Sequence, residues 1–126
     1  MRIDAFQAGR DDLLGAGVMN AVATEELIER AGRALIDAAP ASSKVILFGS
    51  HARGDADERS DFDFLVIERD VENRLDEATR LRRALGDFDA PVDLIVMDAA
   101  LAERRAKVRG TMVHRALAEG RVLAES

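Results

Sequence analysis

The sequence predicts a small α/β (α+β) domain, a short mixed or antiparallel sheet packed with helices. Three observations predict it. Val45–Phe48, Asp61–Ile67 and Pro91–Met97 carry continuous apolar runs with β-branched residues, the pattern of buried strands. The segments around them repeat apolar residues at helical spacing. The link from Phe48 to Asp61 is too short for a comfortable parallel crossover, so the first two strands are expected to be adjacent and antiparallel.

The elements follow in order. Residues 1–23 read as an irregular arm or a short helix, because Gly15 and Gly17 weaken the helical signal that Asp12-Leu13-Leu14 begins. Thr24 is the expected N-cap of the next helix, with Glu25 and Glu26 near the positive end of its dipole. Leu27, Ile28, Ala31, Leu35 and Ala38 form its apolar face, and Pro40 ends it. The first strand closes at Gly49-Ser50, and a polar loop with room for one helical turn leads to the second. Val71, Leu75, Ala78 and Leu85 predict a helical stripe that stops near Gly86. Its link to the third strand permits either direction. Asp98 is placed to cap a helix from Ala99 that breaks near Gly110 and resumes through Leu117. Arg121–Leu123 is a candidate edge strand.

Bulk properties narrow the function. With 126 residues and 48% hydrophobic content, the chain fits one domain, 1–126, with one core. A net charge of −6 argues against direct nucleic-acid binding, which favours a basic surface. The absence of cysteine excludes thiolate catalysis and Cys-ligated zinc, and fits a reducing cytoplasm. No apolar run approaches a membrane span and no signal pattern opens the chain, so a cytoplasmic location without a membrane partner is expected.

The chemistry concentrates in K-V-I-L-F-G-S-H-A-R-G-D-A-D-E-R-S-D-F-D-F-L-V-I, from Lys44 to Ile67. Side chains alternate along a strand, so Asp61 and Asp63 share one face while Phe62 and Phe64 enter the core on the other. Two close carboxylates repel, and a hard, oxygen-seeking ion such as magnesium relieves them. Asp93 reaches the same cleft if its strand lies beside the second. Three carboxylates on two strands suit two-metal phosphoryl or nucleotidyl transfer. Gly49 lets a phosphate approach the backbone, and Ser50 with the amides after it supplies donors. Arg53 is placed to stabilise phosphate charge, with Lys44 a secondary candidate. Each feature has a plainer reading. Gly-Ser after a strand is usually a turn, Asp61 alone could cap a loop, and Asp93 could pair with an arginine such as Arg82.

G-S-H-A-R-G…S-D-F-D-F-L resembles the signature of the DNA polymerase β-like nucleotidyltransferase superfamily, and more closely that of the minimal nucleotidyltransferases, the MNT group. The resemblance spans roughly Ala34 to Leu123. It implies the polymerase β-like fold. It implies that Gly49, Ser50, Arg53 and Ser60 hold the nucleotide. Asp61, Asp63 and Asp93 would bind two magnesium ions, Asp93 also serving as general base. ATP would be the substrate, and AMP would pass to a hydroxyl with release of pyrophosphate. Such proteins pair with HEPN toxins and act as antitoxins by modifying a toxin tyrosine. The chain is short for an acceptor domain of its own, so a HEPN-family partner is expected to supply the acceptor. The absence of Tyr excludes tyrosine self-modification. Two other readings stand beside this one: an antitoxin that neutralises its partner by steric contact, and a transferase acting on a small hydroxylated molecule such as an aminoglycoside. The basic segment Arg104–Arg109 reads as a solvated helix face, or as a contact for triphosphate or an acidic partner.

Overall fold

Strand pairing fixes where the carboxylates lie. The computed structural model describes residues 12–126, in the order α1 (Asp12–Ala38), β1 (Lys44–Phe48), α2 (Ser50–Arg53), β2 (Phe62–Glu68), α3 (Arg74–Ala84), β3 (Val92–Asp98), α4 (Ala99–Ala106), α5 (Met112–Glu119) and β4 (Arg121–Glu125). The chain divides into two compact units, Met1–Arg30 and Ala31–Ser126. In the first unit the described residues are helical throughout. The second holds the sheet, whose strand order is β3-β2-β1-β4.

β1 and β2 are antiparallel neighbours, as the short link between them requires. β2 and β3 are parallel, with α3 in the crossover, which settles the direction that the sequence leaves open. β4 closes the other side of β1, antiparallel, with an irregularity at Val45/Ile46. The sheet is therefore mixed. One face carries Ile46, Leu65 and Met97, packed against Ala102 of α4 and Val113 and Ala116 of α5. Val45, Leu47, Phe64, Val66 and Val96 are buried on the other.

The helices correct three sequence expectations. α1 begins at Asp12 and continues through Thr24, so Thr24 is not an N-cap. Two glycines at about 1 kcal/mol each do not end a run otherwise rich in Leu, Met and Ala. The part of the expected arm over residues 1–11 lies outside the described residues. α3 starts later than the apolar spacing suggests, because Asn73 caps it, its Oδ1 accepting from the Asp76 amide at 3.0 Å. Val71 therefore precedes the helix, Leu75 is 81% exposed, and Leu81 is the fully buried residue. Leu81→Ala is expected to cost about 2–5 kcal/mol in chemical denaturation, against about 0.5 kcal/mol or less for Leu75→Ala. The reverse ranking would mean that the helix is rotated.

The other caps match their residues. Asp98 Oδ1 accepts from the Leu101 amide at 2.8 Å and starts α4. The break near Gly110 is real: Thr111 accepts from the His114 amide at 3.1 Å and starts α5. Among the described residues no helix is long and apolar enough to cross a membrane.

Candidate active site

β1 ends where β2 and β3 begin, and the candidate residues gather at that end of the sheet. Asp63 stands opposite Phe48 of β1 on one side and Asp93 of β3 on the other. Adjacent strands run about 4.8 Å apart, so the two aspartates are side by side on one face. Asp61 precedes β2 by one residue and is exposed, as is Asp93; Asp63 is half-buried. Burial raises the Asp63 carboxyl above its usual range, and the charges of Asp93 and Asp61 push it further, against a smaller opposing pull from His51 and Arg53. The three carboxylates therefore share one electrostatic neighbourhood, and Asp63 is at its centre.

The turn after β1 is shaped around Asp63. Gly49 adopts φ 77° and ψ −157°, a conformation essentially confined to glycine. A Cβ on Gly49 would collide with Asp63 Oδ2 and stand 3.1 Å from its Cγ. The glycine thus lets the main chain come down onto the carboxylate. α2 follows at once, the Ala52 and Arg53 amides bonding to Gly49 O at 3.1 and 3.0 Å. The Ser50 and His51 amides occupy the first-turn positions that no helix satisfies internally. His51 stacks on Phe62, rings 3.8 Å apart and 7° from parallel, which ties α2 to the start of β2. Phe88 meets the same Phe62 edge-on at 5.3 Å.

A cleft of about 290 Å³ opens here, lined by Gly49, Ser50, Arg53 and Asp63 and, from α5, Met112, Arg115 and Glu119. Arg53 pairs with Asp55 at 3.3 Å and with Glu119 at 3.6 Å. Both pairs are solvent-exposed and hold the guanidinium weakly, at about 0–1 kcal/mol each, so it is available to an incoming anion.

The structure brings Gly49, Ser50, Arg53 and Asp63 into one cleft, with Asp61 and Asp93 beside it. It does not bring in two others. Ser60 is tied into its own loop, its hydroxyl donating to Asp57 Oδ1 at 3.2 Å and accepting from the Asp57 amide at 2.9 Å. Lys44 sits at the far end of β1, 3.9 Å from Glu125, because the strand carries its first residue away from the turn. The basic residues of 104–109 are exposed at the end of α4 and just after it. Sequence reading missed the α5 wall. Its signal is the spacing of Met112, Arg115, Ala116 and Glu119, one stripe of one helix.

An all-carboxylate donor set suits a hard divalent ion. Among the described residues no three His, Asp or Glu side chains converge closely enough to hold a metal unaided. Magnesium, which keeps waters and takes phosphate oxygens alongside one or two carboxylates, is compatible with that arrangement.

Comparison with known proteins agrees with this chemistry. The family model described as nucleotidyltransferase domain matches residues 28–123. A protein of Methanocaldococcus jannaschii, provisionally named a protein adenylyltransferase, is 37% identical over 81 residues, 64% of this chain and 76% of the relative. A Sulfolobus solfataricus crystal structure, provisionally described as a nucleotidyltransferase, aligns with a TM-score of 0.59 at 22% identity over 86% of each chain. A toxin–antitoxin complex solved with AMP-PNP aligns with a TM-score of 0.48 at 25% identity, over 75% of this chain and 69% of that one. With the family model covering most of its length and a carboxylate cluster facing a glycine-built turn, the chain belongs to the nucleotidyltransferase domain family and is a nucleotidyltransferase.

Proposed function

We propose that the chain works as one minimal nucleotidyltransferase domain that transfers AMP from ATP to a tyrosine hydroxyl of a HEPN-family toxin and so acts as its antitoxin. The observation that carries the transfer chemistry is the close approach of Gly49 to Asp63, with Asp93 beside it on the next strand. At about 290 Å³ the cleft lies at the lower end of the roughly 300–1,000 Å³ of small-molecule sites. Its size and charges suit a phosphate chain.

In this reading the Ser50 hydroxyl and the first amides of α2 donate to phosphate oxygens, and Arg53 and Arg115 face them from two sides. Asp61, Asp63 and Asp93 are the residues that would hold magnesium, which supplies neutralisation of the phosphate charge. The Asp93 carboxylate accepts the proton of the acceptor hydroxyl. The acceptor oxygen bonds to the α-phosphorus as the bond to the β-phosphate oxygen breaks, and pyrophosphate leaves. Positioning and charge compensation account for such a reaction without a covalent enzyme intermediate. The identity of the acceptor rests on the motif resemblance and on the relative's adenylyltransferase name. With no tyrosine in this chain, the acceptor tyrosine belongs to another molecule.

The test is to incubate the protein with a candidate HEPN-family toxin, magnesium and ATP labelled at either the α- or the γ-phosphate. Label from α-ATP alone should appear on a toxin tyrosine and vanish with Asp61→Asn. Neutralisation of the toxin without label would leave a steric antitoxin. Label only on a small hydroxylated compound would sink the protein-acceptor reading.

A further inference from the structure

The other end of β2 carries a second acidic site that nucleotide chemistry does not use. Glu68 is the last residue of the strand, five positions beyond Asp63 or about 16 Å at strand rise, and it points to the opposite face. It is 2% exposed, yet its Oε2 has no hydrogen-bond donor. It lines an open cavity of about 420 Å³ with Asp70, Glu72, Asp76, Glu77 and Arg80. Five carboxyls face one guanidinium.

That guanidinium is already engaged. Arg80 donates from Nε to Glu77 Oε1 at 2.9 Å and from Nη2 to Glu77 Oε2 at 2.6 Å. Both Glu77 oxygens are thus satisfied, and Arg80's hydrogen bonds hold the Glu77 carboxyl below its usual range. Arg80 makes no such bond to Glu68. Burial first, then a shared hydrogen bond with Glu77 and its charge, push the Glu68 carboxyl up to about 7. Across the sheet its register partner is Asp98, whose Oδ1 is committed to capping α4. In the absence of a ligand, a proton is the compensating charge for Glu68.

We propose that this cavity is a binding site for an organic cation, an ammonium or guanidinium group that donates to Glu68 Oε2. The buried oxygen lacks a donor, the lining is acidic, and the cavity is open and larger than a single ion needs. A bare divalent metal fits less well. Among the described residues no three carboxyls converge on one point. An acidic lining also repels the anionic co-ligands that would complete a metal's shell. An ammonium or guanidinium group brings several N–H donors and tolerates spread acceptors. The site is independent of the transfer reaction and stands whether or not a HEPN toxin is the acceptor.

Two sources share this chemistry: a free polyamine or guanidine, and a Lys or Arg side chain of a protein. The full chain is to be titrated with spermidine, agmatine and a short Lys- and Arg-containing peptide, following backbone amide shifts at pH 6, 7 and 8. Saturable shifts centred on residues 68–80 are expected. Because the cation displaces a proton from a carboxyl titrating at about 7, affinity should be about tenfold tighter at pH 8 than at pH 6. Glu68→Gln, an isosteric neutral change, should abolish both binding and its pH dependence. Calorimetry of the wild-type protein in two buffers of different ionisation enthalpy should show about half a proton released at pH 7. Binding by the small cations assigns a free ligand; binding by the peptide alone assigns a protein partner. No saturable binding by any probe at pH 8, or Glu68→Gln binding like wild type, overturns the proposal.

Discussion

Asp63→Asn is expected to lower AMP transfer by at least about 10²–10³-fold while leaving the metal-free fold as stable as before, or more so, at pH 7. The two halves of that result have one cause. Asp63 is half-buried, and Asp93 and Asp61 repel its charge, so its folded pKa lies above the unfolded value. A carboxyl raised in this way contributes stability that is fully present below its unfolded pKa. That contribution is lost as pH rises through the folded pKa. At neutral pH the ionised Asp63 therefore opposes folding. Asparagine keeps the shape, carries no charge at any pH, and removes the repulsion along with the anionic ligand. Thermal melts of both proteins without divalent ions, from pH 4 to pH 8, check the sign. The variant's advantage should widen with rising pH through the Asp63 titration. A variant less stable than wild type at pH 7 would instead make Asp63 a structural partner of something on the sheet.

Gly49→Ala should do the opposite, costing both stability and activity. The backbone conformation at Gly49 penalises any other residue by about 1–3 kcal/mol, and the added methyl also meets the Asp63 carboxylate. A fall in Tm of about 3–15 °C is expected, with transfer reduced to background. The two contributions separate by mutation. In an Asp63→Ala background the collision is gone and only the backbone strain remains, so Gly49→Ala should cost measurably less there. Gly54→Ala is the control. Gly54 also has a positive φ, 89°, but a Cβ there meets nothing within 4 Å. It should cost backbone strain alone and spare transfer. Equal losses at the two glycines would mean that the approach to Asp63 is unimportant.

The span from Lys44 to Ile67 was legible because its determinants are local. Alternation puts Asp61 and Asp63 on one side of Phe62 and Phe64, and a short link forces the two strands to be antiparallel. The same alternation reaches one residue further. Glu68 falls on the side of Phe62, Phe64 and Val66, one residue past the strand end expected from the sequence. What failed depended on distant partners. The apolar spacing through Val71 and Leu75 looked helical, but the cap at Asn73 and the packing of Leu81 decided the helix's start and face. Lys44 lay close in sequence to Gly49-Ser50 and was placed near phosphate, yet a strand separates by its length the residues at its two ends. Arg115 and Glu119 share one helical stripe with Met112 and Ala116, but the sequence did not say that the stripe faces the cleft, because that depends on α5 packing against distant Ile46 and Leu65. How much of Asp93's significance could be read turned on one undecided direction, that of β3.

The pairing of β4 with β1 sets an order in time. The three aspartates and the Gly49 turn lie between residues 49 and 93, whereas β4 pairs with β1 across more than seventy residues of intervening chain. A nascent chain that has released β3 from the ribosome holds all three aspartates but not the wall that carries Arg115 and Glu119. α5 packs Val113 and Ala116 against Ile46 and Leu65, and β4, one residue after it, then pairs with β1. The wall that carries Arg115 is therefore the last part of the cleft to be made, and a stalled chain exposes a bare edge of β1 in place of a finished site.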